Sequence, residues 1–181
     1  MKTSAPYVVR ACASISSYAL LVFAMAACDG AAAPQTKATT IIPAGMITKG
    51  PATGTGVAAA KLTAKQGETI TIVGRIGGSE DPFVADRAVF TIVDPSLKSC
   101  ADAGDPDHCE TPWDYCCEDR ASLKRSTATI EFAGSDGRPL KGSIRGMSGL
   151  DPLVTVAVTG TVTERNDAGM LVVRATKVEV R

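Results

Sequence analysis

The sequence predicts an all-β protein, a small five-stranded barrel with a cysteine-rich insertion between its second and third strands. Three observations carry that expectation. Val, Ile and Thr fill the periodic segments while aromatic residues are only 4% of the chain, a composition that suits strands better than helices. Segments of period-two alternation recur from Thr69 to the C-terminal Arg181, separated by turn residues. Two of those segments carry a glycine midway, Gly74 and Gly160, where a small closed barrel needs strong bending.

The elements follow in order. A short helix is expected over Val57 to Lys65. The first strand is Thr69 to Ile76, with Ile70, Ile72 and Ile76 on the same face as Gly74, and Gly77-Gly78 ends it. The second runs Arg87 to Val93 and is closed by Asp94-Pro95, because proline cannot donate to a ladder. Ser126 to Phe132 forms the third, ending at the turn Ser135-Asp136-Gly137. Leu140, Ile144, Met147 and Leu150 lie in a glycine-interrupted stretch with room for one helical turn or two. Val154 to Val162 and Met170 to Val180 then form a hairpin through Asn166-Asp167-Ala168-Gly169.

The segments TITIVGRIGG, RAVFTIVD, TVAVTGTVTER and LVVRATKVEV, taken in this order, resemble the OB-fold, a five-stranded Greek-key barrel. The resemblance covers 69–181 and implies a domain over 55–181. An immunoglobulin-like sandwich is the alternative; it would want about seven strands, and five are found.

The N-terminal 27 residues have the parts of a secretory signal. Lys2 and Arg10 give a positive start without an acid, and Tyr18 to Ala27 is apolar and uncharged. Such a run is too short to span a bilayer, which takes about 20 residues. Met25-Ala26-Ala27-Cys28 resembles the lipobox of bacterial lipoproteins, although Leu is more usual where Met25 stands. That resemblance implies cleavage after Ala27, diacylglycerol on Cys28, and a membrane partner reached through the acyl chains, each buried CH₂ contributing about 0.8 kcal/mol. The alternative is an ordinary secreted protein cut near Cys28. Asp29 at the next position favours the inner membrane in enterobacteria, a rule that varies between phyla. The expected location is the cell envelope. Residues 28–54, rich in Ala, Thr, Gly and Pro, read as a flexible tether, with Ile41, Ile42 and Met46 packing lightly on the domain.

The insertion over 94–120 is chemically distinctive. It holds Cys100, Cys109, Cys116 and Cys117, the single histidine His108 and the single tryptophan Trp113, and from Asp94 to Asp119 it carries eight acids against Lys98 alone. This run is similar to small hypothetical lipoproteins of planctomycete-type bacteria, a likeness that implies lineage and no activity.

The first reading of the insertion is two disulfides stapling a loop with little core of its own, since an exported chain with an even cysteine count favours bridges. A vicinal Cys116–Cys117 bridge is strained, so Cys100 and Cys109 would each pair with one of the two, contributing about 2–4 kcal/mol per bridge. The second reading is a zinc or copper site from Cys100, His108, Cys109, Cys116 and Cys117, although paired CxxC arms are missing. A third is redox work through Cys116 and Cys117, without the CxxC at a helix start that thioredoxin-like chemistry uses. Asp102, Asp105, Asp107 and Glu110 lack the EF-hand pattern and read as a solvated acidic loop. Trp113 and Tyr115 read first as packing over the cysteines and second as a ligand-stacking platform.

Charge excludes little by itself, since 19 basic residues balance 19 acidic ones. OB-folds often bind oligosaccharide or single-stranded nucleic acid through a basic groove with stacking aromatics. Here Phe90 and Phe132 fall on strand faces expected to be buried, the insertion would repel phosphate, and Arg75, Arg87, Arg174 and Lys177 read as a solvated strand face. Nucleic acid is therefore not an expected partner; another envelope protein or a polysaccharide is. His108 has no serine in a nucleophile motif beside it, and abundant acids are not a tuned pair. The expectation is a non-catalytic, lipid-anchored envelope protein without a cofactor, presenting a stapled acidic loop for binding.

Overall fold

The computed structural model describes residues 42–103 and 109–181. The signal segment, Cys28, Asp29, Ile41, Asp105, Asp107 and His108 lie outside the described residues. The elements in chain order are β1 (Ile47–Lys49), β2 (Thr55–Gly56), α1 (Val57–Thr63), β3 (Thr69–Ile76), β4 (Val89–Val93), α2 (Arg120–Ser126), β5 (Thr127–Glu131), β6 (Thr155–Arg165) and β7 (Leu171–Val180). Single 3₁₀ turns occur at Cys100–Ala103 and Met147–Gly149.

Five strands close on themselves. β3 pairs antiparallel with β4, β4 with β5, β7 with β6, and β6 with β3, while β5 and β7 pair in parallel. The circuit β3-β4-β5-β7-β6-β3 is the strand order of an OB-like Greek-key barrel. Full closure removes the edges that would invite intermolecular pairing.

The alternation read from the sequence is the alternation of this barrel. Ile72, Ile76, Phe90, Ile92, Ile130, Val156, Val158, Val173 and Val178 all point inward with no exposed surface. Phe83, Phe90 and Phe132 stack in series with ring centroids 6.0 and 6.5 Å apart, inside the core. The glycine expectation is met at its sharpest point. β6 shifts register against β7 between Thr159 and Gly160, a bulge of the kind that turns a barrel corner. A Cβ at Gly160 would lie 2.7 Å from the carbonyl carbon of Arg174, so only glycine lets the two backbones approach.

Two features differ from the sequence expectation. Ile47–Lys49, within the stretch read as tether, runs parallel to β7, with Ile47 opposite Val178, and Ile42, Met46 and Ile47 pack on the core. Too short to show a period, that strand was hidden among Ala, Thr and Gly. The stretch 120–126 forms α2, because Asp119 caps it by accepting from the amides of Ala121 and Ser122. The stretch between β5 and β6 agrees with its expectation: it is loop with a single helical turn at Met147–Gly149, and Ile144 and Leu150 are buried.

Residue Asp94, at the end of β4, holds α1 in place. Its carboxylate accepts from Ala58 N–H at 2.8 Å and Ser96 N–H at 2.9 Å, satisfying a donor at the α1 N-terminus that the chain itself leaves open. Burial alone would raise its pKa; the two amides outweigh burial and hold the carboxyl below its ordinary value.

Candidate functional site

The insertion docks on the barrel through glycine. Gly77 and Gly78, at the end of β3, were legible only as a strand stop. The Gly78 amide donates to the Trp113 carbonyl at 2.8 Å, and a Cβ at Gly77 would lie 2.5 Å from that same oxygen. Trp113 in turn donates from Nε1 to the Glu80 carbonyl at 2.8 Å. On the other arm, Arg75 of β3 forms an ion pair with Asp102 and donates to the Leu153 carbonyl. Asp102 also accepts from the amide and hydroxyl of Ser99, fixing the turn that begins at Cys100. Its carboxyl is held low chiefly by the Ser99 hydroxyl, with Arg75 helping.

Tyr115 is the hinge of the loop. Its backbone adopts φ 60°, a left-handed conformation that costs a non-glycine residue on the order of 1 kcal/mol or more. Its side chain is fully buried, with a hydroxyl that has no hydrogen-bond partner in the described structure. Burial pushes its pKa up to about 12, against the pull of the Arg75 charge. A buried aromatic thus anchors the turn, and the reversal returns Cys116 and Cys117 toward Cys100. Of the two readings of Trp113 and Tyr115, local packing describes Tyr115; Trp113 is half-buried with the Arg145 guanidinium 6.0 Å from its ring.

The outcome is a convergence of sulfur. Cys100 Sγ lies 3.3 Å from Cys116 Sγ and 3.7 Å from Cys117 Sγ. Cys116 Sγ lies 3.8 Å from Cys109 Sγ and 4.0 Å from Cys117 Sγ. All four are free thiols. The two bridges expected from the even count are not formed in this structure, since bonded sulfurs sit about 2.05 Å apart.

A fifth donor was missed by the sequence reading. Asp114 Oδ1 lies 3.7 Å from Cys100 Sγ and 3.9 Å from Cys109 Sγ. It accepts from Cys116 N–H at 2.8 Å, while Oδ2 accepts from the Thr111 hydroxyl at 3.0 Å. The signal for it was an aspartate two residues before a cysteine, which is the spacing of an Asx turn. Burial opposes the ionised carboxylate, but those two donors win and Asp114 sits below its usual range.

Cys100, Cys109, Asp114 and Cys116 place one ligand atom each within 4.8 Å of all the others. A tetrahedral zinc site with Zn–S of about 2.3 Å has sulfurs about 3.8 Å apart, and a carboxylate oxygen slightly nearer. The Cys109–Cys116 spacing of 3.8 Å equals that value, Cys100–Cys116 at 3.3 Å is about half an ångström shorter, and all four ligand atoms lie within 4.8 Å of one another. Cys117 stands just beside the set, within 4.0 Å of two of its sulfurs. His108, which the sequence placed among the ligands, lies outside the described residues.

The thiols are electrostatically unlike one another. Burial would raise Cys100, yet its hydrogen bonds with the Cys117 amide and the surrounding thiols lower its pKa. Hydrogen bonding to Cys100 conversely raises Cys116 and Cys117. Cys100, only 3% exposed, is the sulfur around which the others gather.

Other sequence candidates are dispersed. Arg174 pairs with Glu131 at 3.2 Å and Lys177 with Glu179 at 2.9 Å, so two of the strand cations are neutralised along with Arg75. Phe90 and Phe132 are interior, leaving neither available for stacking on a base or a sugar.

No protein-family model matches this chain, and no curated protein matches it. It is similar to one solved structure, that of the hypothetical protein ygiW from E. coli, over 74% of this chain and 96% of that chain, at 13% sequence identity and a TM-score of 0.37. The OB-like assignment rests on the strand circuit itself.

Proposed function

We propose that this chain is a lipid-anchored, non-catalytic envelope protein whose OB-like barrel carries a thiolate site for a soft or borderline metal ion, zinc or copper. The observation that carries the reading is the convergence of Cys100, Cys109 and Cys116 with the Asp114 carboxylate, one ligand atom from each within 4.8 Å of the others. Thiolates select zinc and copper(I) over calcium or magnesium, which prefer oxygen. The outer partners are of the supporting kind, with Thr111 and backbone amides orienting Asp114 and Cys100.

Intact mass, elemental analysis and alkylation mapped to the four loop cysteines test it together. One zinc or copper per chain with four alkylatable loop thiols is the expected result. A second reading, the stapled loop, is favoured by the pairs Cys100–Cys117 and Cys109–Cys116, already within 3.8 Å. A mass four hydrogens short with no metal would replace the metal site by that reading.

The anchor rests on the lipobox-like run before Cys28. Among the described residues no helix is long and apolar enough to cross a membrane. Cys28→Ser is expected to abolish incorporation of labelled palmitate in cells while the barrel stays folded. Undiminished labelling would overturn the anchor and leave the metal reading intact.

A further inference from the structure

The strand cations named from the sequence are largely paired, and the cations without carboxylate partners lie elsewhere. Two adjoining clefts of about 390 and 420 Å³ share Lys61 and Gly169, between α1, α2 and the β6–β7 turn. Their walls carry Lys61, Lys124, Arg125 and Arg165, and the only carboxylate lining either cleft is that of Asp167. Asp167 is fully exposed and sits 3.8 Å from Arg165. Among the described residues, Lys61, Lys124 and Arg125 make no ion pair; the nearest carboxylate influence on Arg125 is the Asp119 charge at the start of α2.

The fold ties Lys61 to α2 and to the β6–β7 turn. Lys61 Nζ donates to the Lys124 carbonyl at 2.6 Å and the Gly169 carbonyl at 2.7 Å, bridging the end of α2 to the β6–β7 turn. Arg165 donates to the Lys61 carbonyl at 3.2 Å. Arg125 donates only to the Ser122 hydroxyl at 2.9 Å. Half burial and the neighbouring Lys124 charge lower Lys61 to about 8. The Lys61 and Lys124 charges repel, and the two carbonyls that accept from Lys61 act against that repulsion. Leu62, 81% exposed, and Met170, 46% exposed, flank the same clefts.

We propose that these adjoining clefts form a binding site for a phosphate-class oxyanion, with Lys61 shared between them, Lys124 lining one and Arg125 and Arg165 lining the other. A bound dianion offsets most of the net positive charge of the cluster, and the guanidinium groups supply paired donors suited to phosphate oxygens. The exposed Leu62 and Met170 beside the charges also fit the acyl boundary of an anionic phospholipid, so the source is either a lipid headgroup or a free phosphate.

Titration calorimetry of the full chain with inorganic phosphate at constant ionic strength, with co-sedimentation on phosphatidylglycerol and phosphatidylcholine vesicles, tests the site and its source. Saturable phosphate binding identifies a free-phosphate site; capture by phosphatidylglycerol vesicles alone identifies the headgroup. In either case the double variant Lys124→Met, Arg125→Gln is expected to weaken binding by roughly tenfold or more. Both side chains are exposed and neither makes a bond that holds the barrel. An unchanged thermal midpoint and unchanged metal stoichiometry confirm that only these clefts were altered. Absence of binding to both phosphate and phosphatidylglycerol, or equal binding by the double variant, overturns the proposal without touching the metal site.

Discussion

Cys100→Ser is expected to lower the zinc affinity of the reduced chain by more than the roughly 10–100-fold that loss of an outer partner costs. Cys100 is the only buried sulfur of the cluster and the one closest to its neighbours, 3.3 Å from Cys116 and 3.7 Å from both Cys117 and Asp114. Serine there leaves a harder, weaker donor at the centre of the set. Asp114→Asn should cost less, since the amide oxygen can still accept from the Cys116 amide. Cys117→Ser should cost least, because Cys117 stands beside the four-atom set and not in it. Competition against a chromophoric chelator measures all three. Equal losses for Cys100→Ser and Cys117→Ser would reassign the site to four thiolates and release Asp114 to an orienting role. No loss for Cys100→Ser would sink the metal reading. Affinity should also fall as pH falls, because protons compete with the ion for thiolates.

The second large effect belongs to the barrel. Gly160→Ala is expected to cost about 3 kcal/mol or more, at the upper end of what overpacking does. The new Cβ would collide with the carbonyl of Arg174 on β7 and lie 2.9 Å from Val173 Cγ1. Both obstacles belong to the paired strand, so relief requires opening the β6–β7 ladder at its bulge. Against a total stability of about 5–15 kcal/mol, that loss is readily seen in a urea midpoint. Gly67→Ala is the control. It meets nothing within 4 Å and bears only the backbone cost of φ +85°, about 1 kcal/mol. Equal midpoints for the two variants would show that close strand approach at Gly160 is not what shapes the barrel.

Most of the barrel was legible because burial on one face of a strand writes a period of two into the chain. Thr69–Ile76 matches its expected bounds, and the β6–β7 hairpin was readable from alternation plus Asn166-Asp167-Ala168-Gly169. The two mid-strand glycines also declared themselves, since glycine has no local reason to sit among Val and Thr. β1 and α2 did not. Three residues carry no period, and α2 exists because Asp119 caps it and α1 packs beside it.

The site divides the same way. Composition alone picked out the insertion and its four cysteines, and residue type alone limited their chemistry to bridges, soft metals or redox. Which sulfurs meet was decided by the tertiary structure, through Gly77 and Gly78 receiving Trp113, Arg75 holding Asp102, and Tyr115 reversing the chain. Asp114 entered the cluster, and the unpaired cations gathered at Lys61, for the same physical reason. Local sequence determines which face a residue shows to its neighbours. Contacts between residues distant in the chain are set only when closure of the barrel brings their elements together.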